Sequence, residues 1–590
     1  MSATQRSLSS TAQRLLVALS MFALLLGAMA PVALAARSHN VGTKSFIKAQ
    51  HVGTTRITGR APRGEDEGVL TGEVRPDPEE RAEEGEREKF IRNPISTARV
   101  PSSHVPRPAV QPIVDATGTT HFGGLNHFDQ RFSGTGDYTN TQFSLEPPDQ
   151  ALCVGNGFVV ESVNTVIRVR NPAGANLTAA MPLNDFFNLE PEIIRADPLV
   201  FGEFTSDPKC YFDTDTDRWF VTILELDVDP DSGAFTGPSS VMIAVSTSGD
   251  PTGTWNLFSI DTTNDGTGGT PTHDDCPCFG DQPLIGADAN GFYVTTNEFP
   301  VFEAGFNGAN VYAMSKTALA AGSLGTVVLF HQPTLAEGQA YSIQPATTPP
   351  GAAYATGHGG TEYFLSALEF TGGLDNRIAL WALTNSSSLS SATPTVAMQL
   401  TILDSQVYGA PPTMQQRDGP TPLKALIKSK LAPAALGVPS TSEHLNLLNS
   451  NDDRMNQTVF VNGQIWGALN TVMKSPTGQT RTGIAWFGVT PAFGGSTLGG
   501  SVSAQGYVAL RNTNAAFPAV AANPAGDVLV GYSVVSPAIY PSAAYSWIGA
   551  GGTGAANVVA WGVGPADGFT GYISLDPGDG GVERWGDYSA

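Results

Sequence analysis

Three observations place the chain among all-β proteins built from repeated antiparallel sheets. Its 590 residues include 65 Gly and 42 Pro, a turn-rich composition that argues against a helical bundle or coiled coil. Hydrophobic residues make up 41% and aromatic residues 9% of the chain, enough for a large core. Beyond residue 140 one local pattern recurs: an acidic or polar start, a short apolar run, a turn of Asp, Asn or Gly, and a second apolar run. The balance of 32 Lys+Arg against 54 Asp+Glu gives a net charge of −22, which excludes a general affinity for nucleic acid phosphates.

The N-terminus comes first. Arg6 and Arg14 precede an apolar run from Leu15 to Ala30, then Pro31 and the small-residue triplet Ala33-Leu34-Ala35. This is the pattern of a secretory signal peptide over residues 1–35, cleaved after Ala35. No second long apolar segment occurs, so the expected mature chain is secreted or extracellular, with no membrane span. Residues 36–120 have few periodic apolar positions, and Arg63 to Arg92 holds eleven acidic and six basic residues. The segment reads as a disordered, charged and Pro-rich linker or pro-segment.

The repeat occupies residues 121–590. Asp149-Gln-Ala-Leu-Cys-Val-Gly-Asn-Gly-Phe-Val-Val is followed by Asp207-Pro-Lys-Cys-Tyr-Phe-Asp-Thr-Asp, by Asp281-Gln-Pro-Leu-Ile-Gly-Ala-Asp-Ala-Asn-Gly and by Phe517-Pro-Ala-Val-Ala-Ala-Asn. Five residues after Pro208, Pro283 and Pro518 stand Asp213, Asp288 and Asn523, each opening a turn between two apolar strands. Weaker starts near Gln344 and Met455 and a last one at Arg584-Trp-Gly-Asp587 bring the count to seven. Hairpin following hairpin builds a four-stranded antiparallel blade, and the chain reads as a six- or seven-bladed β-propeller, incomplete at its C-terminus. Serial β-sandwiches would need linkers that are not seen, and a β-helix would need a shorter period. Pro422 to Leu436, with Lys424, Lys428 and Lys430, is read as a helical surface insertion.

Four cysteines in an exported chain predict disulfides, and local spacing favours Cys153 with Cys210 and Cys276 with Cys278. Zinc is the rival for Cys276-Pro-Cys278 with His273, but the second closely spaced ligand pair of a structural site is missing.

The segments Pro147-Pro-Asp-Gln-Ala-Leu, Ser206-Asp-Pro-Lys, Arg218-Trp-Phe-Val, Asp288-Ala-Asn-Gly-Phe-Tyr-Val and Arg584-Trp-Gly-Asp-Tyr-Ser resemble secreted bacterial β-propeller proteins described as sialidase-like, mostly of uncharacterised function. The resemblance implies fold and export and brings no activity with it. In similar proteins more blade sequence follows the last of these segments.

The blade starts define the candidate chemistry. First strands line a propeller's channel, so Asp149, Asp207, Asp281 and Asp587 are candidates to line it or to bind a ligand, with Asp452, Asp453 and Arg454 at the most polar strand entry. Two alternating runs, Asp213, Asp215, Asp217 and Asp227, Asp229, Asp231, have the spacing to offer oxygens to Ca²⁺, the one cofactor expected; equally, they are ordinary acidic turns. No organic cofactor is expected, and no motif of another enzyme class occurs. Two functions remain. One is an exported, non-catalytic propeller that binds a glycan or protein through its loops and exposed aromatics such as Trp255 or Trp547. The alternative is a glycan-processing hydrolase of sialidase-like architecture that uses channel carboxylates.

Overall fold

The computed structural model describes residues 39–58, 104–368, 373–424, 445–573, 575 and 580–589. The expected signal peptide, the charged core of the expected linker and most of the Pro422 to Leu436 insertion lie outside the described residues. Among those described, strands dominate and are organised as six antiparallel meanders. The first runs Gln150–Gly155, Phe158–Val163, Val166–Arg170 and Met181–Pro182. The second runs Phe204–Asp213, Arg218–Val228, Phe235–Ser246 and Thr254–Asp261. The third has Cys278–Ala287, Gly291–Pro300, Gly308–Ser315 and Thr326–His331. The fourth has Gln344–Thr347, Thr361–Ser366, Leu374–Thr384 and Ala397–Gly409. The fifth spans Thr458–Val461 to Thr497–Val508, and the sixth Asn514–Ala522 to Ala556–Ala560.

The packing between meanders is that of a propeller. First strands of successive meanders lie side by side, and five apolar clusters are each filled from two neighbours. Between the first and second meanders, Val160, Ile167 and Val169 meet Phe212, Trp219 and Trp255. Between the third and fourth, Tyr293 and Val311 meet Phe364 and Trp381. At close approaches of first strands only glycine fits: a Cβ on Gly286 would lie 2.5 Å from the Cβ of Pro345.

One backbone device recurs at the axis. The pairing register slips between Ser206 and Lys209, between Asp281 and Leu284, and between Ala516 and Ala519. Each slip is a bulge whose residue before proline is left-handed: Asp207 at φ 55°, Gln282 at 48° and Phe517 at 57°. Ser342, at φ 42°, is also left-handed where the chain enters the fourth meander, although no proline follows it and no register slip occurs there. The turned amide donates into the preceding meander: Gln282 N to Asp207 Oδ2 at 3.1 Å, Ser342 N to Asn297 Oδ1 at 2.9 Å, and Phe517 N to Asn470 Oδ1 at 2.8 Å. The shared proline offset seen in the sequence is therefore a joint between meanders as well as the start of a hairpin.

The expectation that residues 36–120 lack packed structure is corrected at both ends of the segment. His39–Asn40, Thr43–Lys48 and Gln50–Arg56 add an outer strand to the fourth, third and second meanders in turn. Ile113–Asp115 adds a parallel one to the sixth. The physical reason is that a free sheet edge presents unpaired N–H and C=O groups, which a polar strand satisfies without a hydrophobic pattern of its own. The expectation that Arg584 opens a further blade is also corrected. Val582–Glu583 pairs in parallel with Leu447–Leu448 in a small three-stranded sheet. The residues that follow wedge between the sixth and first meanders, where Trp585 Nε1 bonds Ser533 Oγ at 3.0 Å and Asp587 N bonds Asp149 Oδ1 at 3.1 Å.

The paired cysteines are Cys153 with Cys210 and Cys276 with Cys278. The first links the opening strands of the first two meanders. Among the described residues no helix is long and apolar enough to cross a membrane.

Ile47 tests the added strands, because it is 5% exposed and packs among Tyr312, Val327 and Leu329. Ile47→Ala should lower unfolding free energy by about 2 to 5 kcal/mol in a denaturant titration. An unpacked segment would give no change.

Candidate functional site: an axial cluster of carboxylates

The four predicted blade-start carboxylates converge. Asp149, Asp207, Asp281 and Asp587 are 0%, 3%, 1% and 5% exposed, so all four have left water. Burial, and next the charge of Asp587, raises the Asp207 pKa, and a hydrogen bond with Asp281 opposes the rise. Like charges at such range survive only when partners compensate them. Arg584 Nη2 reaches both oxygens of Asp587 at 2.7 and 2.8 Å, and Asn451 Nδ2 donates to Oδ1 at 3.1 Å. Asn164 Nδ2 lies 3.4 Å from Asp149 Oδ2.

Two residues that the sequence reading did not single out complete the cluster. Lys209 places Nζ 3.1 Å from the ring centroid of Tyr588, a cation resting on an aromatic face. Burial lowers the Lys209 pKa to about 7, against the pull of Asp149 and Asp207. Tyr588 donates its hydroxyl to Pro208 O at 3.2 Å, and burial, followed by the fields of all four aspartates, raises its pKa. The only sequence signal for either was position: Lys209 follows the Asp-Pro bulge, and Tyr588 follows the last blade-start aspartate.

The polar strand entry is a structural ion pair. Arg454, 2% exposed, binds Asp452 Oδ1 through Nε at 3.0 Å and Gln282 Oε1 through Nη1 at 3.0 Å, and lies 4.8 Å over the Tyr341 ring. It thereby ties the approach to the fifth meander to the bulge of the third. Asp453 is fully buried, and burial, then the charge of Asp452, pushes its pKa well up.

Neither acidic run gathers into a cage. Asp213 turns inward to Lys316 Nζ at 2.8 Å, both side chains at 0% exposure, and also accepts from Tyr354 and Thr216, while Asp215 and Asp217 face solvent. Lys316 and the other donors lower the Asp213 pKa although burial acts the other way. Asp229 accepts from Ser232 Oγ at 2.7 Å and from the amides of Asp231 and Ser232, an Asx turn that leaves Asp227 and Asp231 outside it. Among the described residues, the one group of three side chains with ligand-type atoms within 4.8 Å of one another is Cys276, Cys278 and Glu298, and its two sulfurs are bonded to each other.

Trp255 is corrected: it is 0% exposed, with Nε1 donating to Pro251 O at 2.9 Å. Trp547 stands 49% exposed, as expected. His273, weighed in the sequence as a zinc partner of Cys276 and Cys278, buries its ring against Glu298.

No protein-family profile and no curated protein matches the chain. Solved structures similar to it include a GH43 beta 1,3 galactosidase with galactodeoxynojirimycin, at 10% identity over 61% of this chain and 95% of that one, with a TM-score of 0.26. An exo-1,5-alpha-L-arabinanase from a bovine ruminal metagenomic library has 10% identity over 70% of this chain and 95% of that one, with a TM-score of 0.25. An exo-beta-1,3-galactanase from Clostridium thermocellum has 10% identity over 77% and 81%, with a TM-score of 0.24. These are glycoside hydrolases, and none is a sialidase; likeness at this level carries no inference about chemistry.

Lys209 gives the cluster a pH signature. Between pH 7 and about 10.5 the unfolded chain binds a proton that the folded Lys209 does not, so its contribution destabilises the fold at neutral pH and this penalty fades as pH rises through that window. Urea unfolding of the wild type and Lys209→Met across the window should diverge most at pH 7 and converge near pH 10.5. Curves of constant separation would contradict the buried amine.

Proposed function

We propose that the protein is an exported, six-bladed propeller that binds a glycan through the open face of its sixth meander, with the axial carboxylates serving closure. Two disulfides and the N-terminal apolar run support export. The observation that carries the binding site is Trp547, 49% exposed on Ile539–Gly549 with Tyr545 6.1 Å away edge-on. Its register neighbours Leu529 and, beside Tyr545, Gly531 and Asn557 lie on the same face. Trp585 reaches that face at Ser533, while Trp547, four residues further along the neighbouring strand from Ser533's partner Ala543, stays 49% exposed. Flat aromatic rings beside an amide offer apolar contact to sugar C–H faces and hydrogen bonds to hydroxyls.

The opposite side of the wedge fits the same use. Leu152 and Val154, 46% and 56% exposed, point away from the core that the first meander shares with the second. The alternative, hydrolysis by channel carboxylates, needs acids that a substrate can reach, and the four axial aspartates are at most 5% exposed. Calcium is not required by this reading.

A glycan array followed by calorimetry on any hit tests the proposal. Trp547→Ala should weaken binding at least tenfold with an unchanged melting temperature. An array with no hits, or unchanged affinity in Trp547→Ala, would overturn it. Product release from a hit, lost in Asp207→Asn, would establish the hydrolase instead.

A further inference from the structure

We propose that Ser45, His331, His273 and Glu298 form a nucleophilic relay on the third meander that hydrolyses acyl esters through the Ser45 hydroxyl. The proposal is independent of the glycan-binding face.

The relay exists because Thr43–Lys48 lies antiparallel beside Thr326–His331. His331 stands opposite Thr43 and Leu329 opposite Ser45, so Ser45 and His331 project from the same face of the sheet. Ser45 Oγ is 2.7 Å from His331 Nε2, His331 Nδ1 is 3.3 Å from His273 Nε2, and His273 Nδ1 is 2.8 Å from Glu298 Oε1. Exposure falls along the chain: Ser45 and His331 are partly exposed, the His273 side chain is 5% exposed, and Glu298 is at 0%. An accessible hydroxyl, an imidazole behind it and a buried carboxylate at the far end are the parts of an activated serine.

Hydrogen-bond chemistry sets every proton in one direction. The Glu298 carboxylate only accepts, from His273 and also from Asn310 Nδ2 at 2.8 Å, Gln332 Nε2 at 3.2 Å and Asn264. His273 therefore carries its proton on Nδ1 and accepts at Nε2. His331 then donates from Nδ1, which leaves the Nε2 lone pair facing the Ser45 hydroxyl. Burial, and then His273, holds the His331 pKa below its ordinary value against the pull of Glu298, which favours the unprotonated base. The loop bearing His273 is pinned by His273 N to Asn264 O at 2.9 Å and by the Cys276 to Cys278 disulfide, on which Asn307 Nδ2 rests 3.4 Å from Cys278 Sγ.

In the proposed reaction Ser45 Oγ bonds to the ester carbonyl carbon while its proton passes to His331 Nε2. The bond from that carbon to the alcohol oxygen breaks, and the leaving alkoxide takes the proton from Nε2. Water then adds to the acyl carbon and gives a proton to Nε2; the bond to Ser45 Oγ breaks, Ser45 is reprotonated and the acid leaves. Ser45 and His331 are the catalytic residues, whereas His273 and Glu298 position His331. The site lies on an outer sheet edge, so the fitting substrates are short acyl esters presented at a surface.

The test uses the purified full chain, an alkyl fluorophosphonate as trap and para-nitrophenyl acetate as substrate. Peptide mass spectrometry should find the phosphonyl group on Ser45, and labelling should slow at least tenfold in His331→Ala. Ser45→Ala should abolish labelling there and remove the ester hydrolysis that exceeds free-imidazole background. Nitrogen-15 spectra of the histidines should show His331 protonated on Nδ1, and His273→Ala or Glu298→Gln should shift it toward the Nε2 tautomer as labelling falls. Absence of label on Ser45 in folded wild-type protein, or equal labelling in folded His331→Ala, would overturn the proposal.

Discussion

The amide hand-off at the axis is the constraint on which the rest of the molecule depends. A left-handed residue at the inner-strand bulge turns its N–H out of its own ladder, and that donor must find an acceptor once it is buried. The acceptor sits on the neighbouring meander, as Asp207, Asn297 or Asn470. Sheets that pack on one another largely through apolar side chains are thereby fixed in axial level. Apolar contact supplies most of the driving force between meanders but is tolerant of sliding, whereas a buried donor with one acceptor is not.

The axial charge follows from the same geometry. Bringing blade starts together brings their carboxylates together, and the fold accommodates them with Arg584, Lys209, amides and a raised Asp207 pKa. The segment from Val582 to Tyr588 is the bridge between the sixth and first meanders, with Trp585 on one side and Asp587 on the other. Acids held in this way are at most 5% exposed, and the exposed side chains lie at the periphery.

The periphery is shaped by the strands of residues 39–56. They satisfy three sheet edges in succession, and one of them brings Ser45 to His331 across 286 residues of sequence. The open face at Trp547 has the opposite origin, a stretch of sheet surface that the narrow bridging segment leaves uncovered.

The hairpins, their turns and the pairing of the four cysteines were legible in the sequence because their causes are local. Asn156-Gly157 and Asn462-Gly463 take positive φ where the sequence pattern places turns, and Asp213, Asp288 and Asn523 cap hairpins through bonds within a few residues. The shared axis of Asp149, Asp207, Asp281 and Asp587 was legible as well, since a repeat puts equivalent residues in equivalent places. The role of those aspartates was not, because Lys209 and Tyr588 became their partners only through closure. Thr43-Lys-Ser-Phe-Ile-Lys48 lacked the apolar pattern of a buried strand, and its structure comes from backbone bonds to an edge that local sequence does not reveal. Nor did composition distinguish Trp255 from Trp547: one faces the first meander and the other faces water, a difference set by the packing of whole sheets. Local turn chemistry thus determined the repeating unit, while contacts between distant edges and faces decided which of its residues remain free to act.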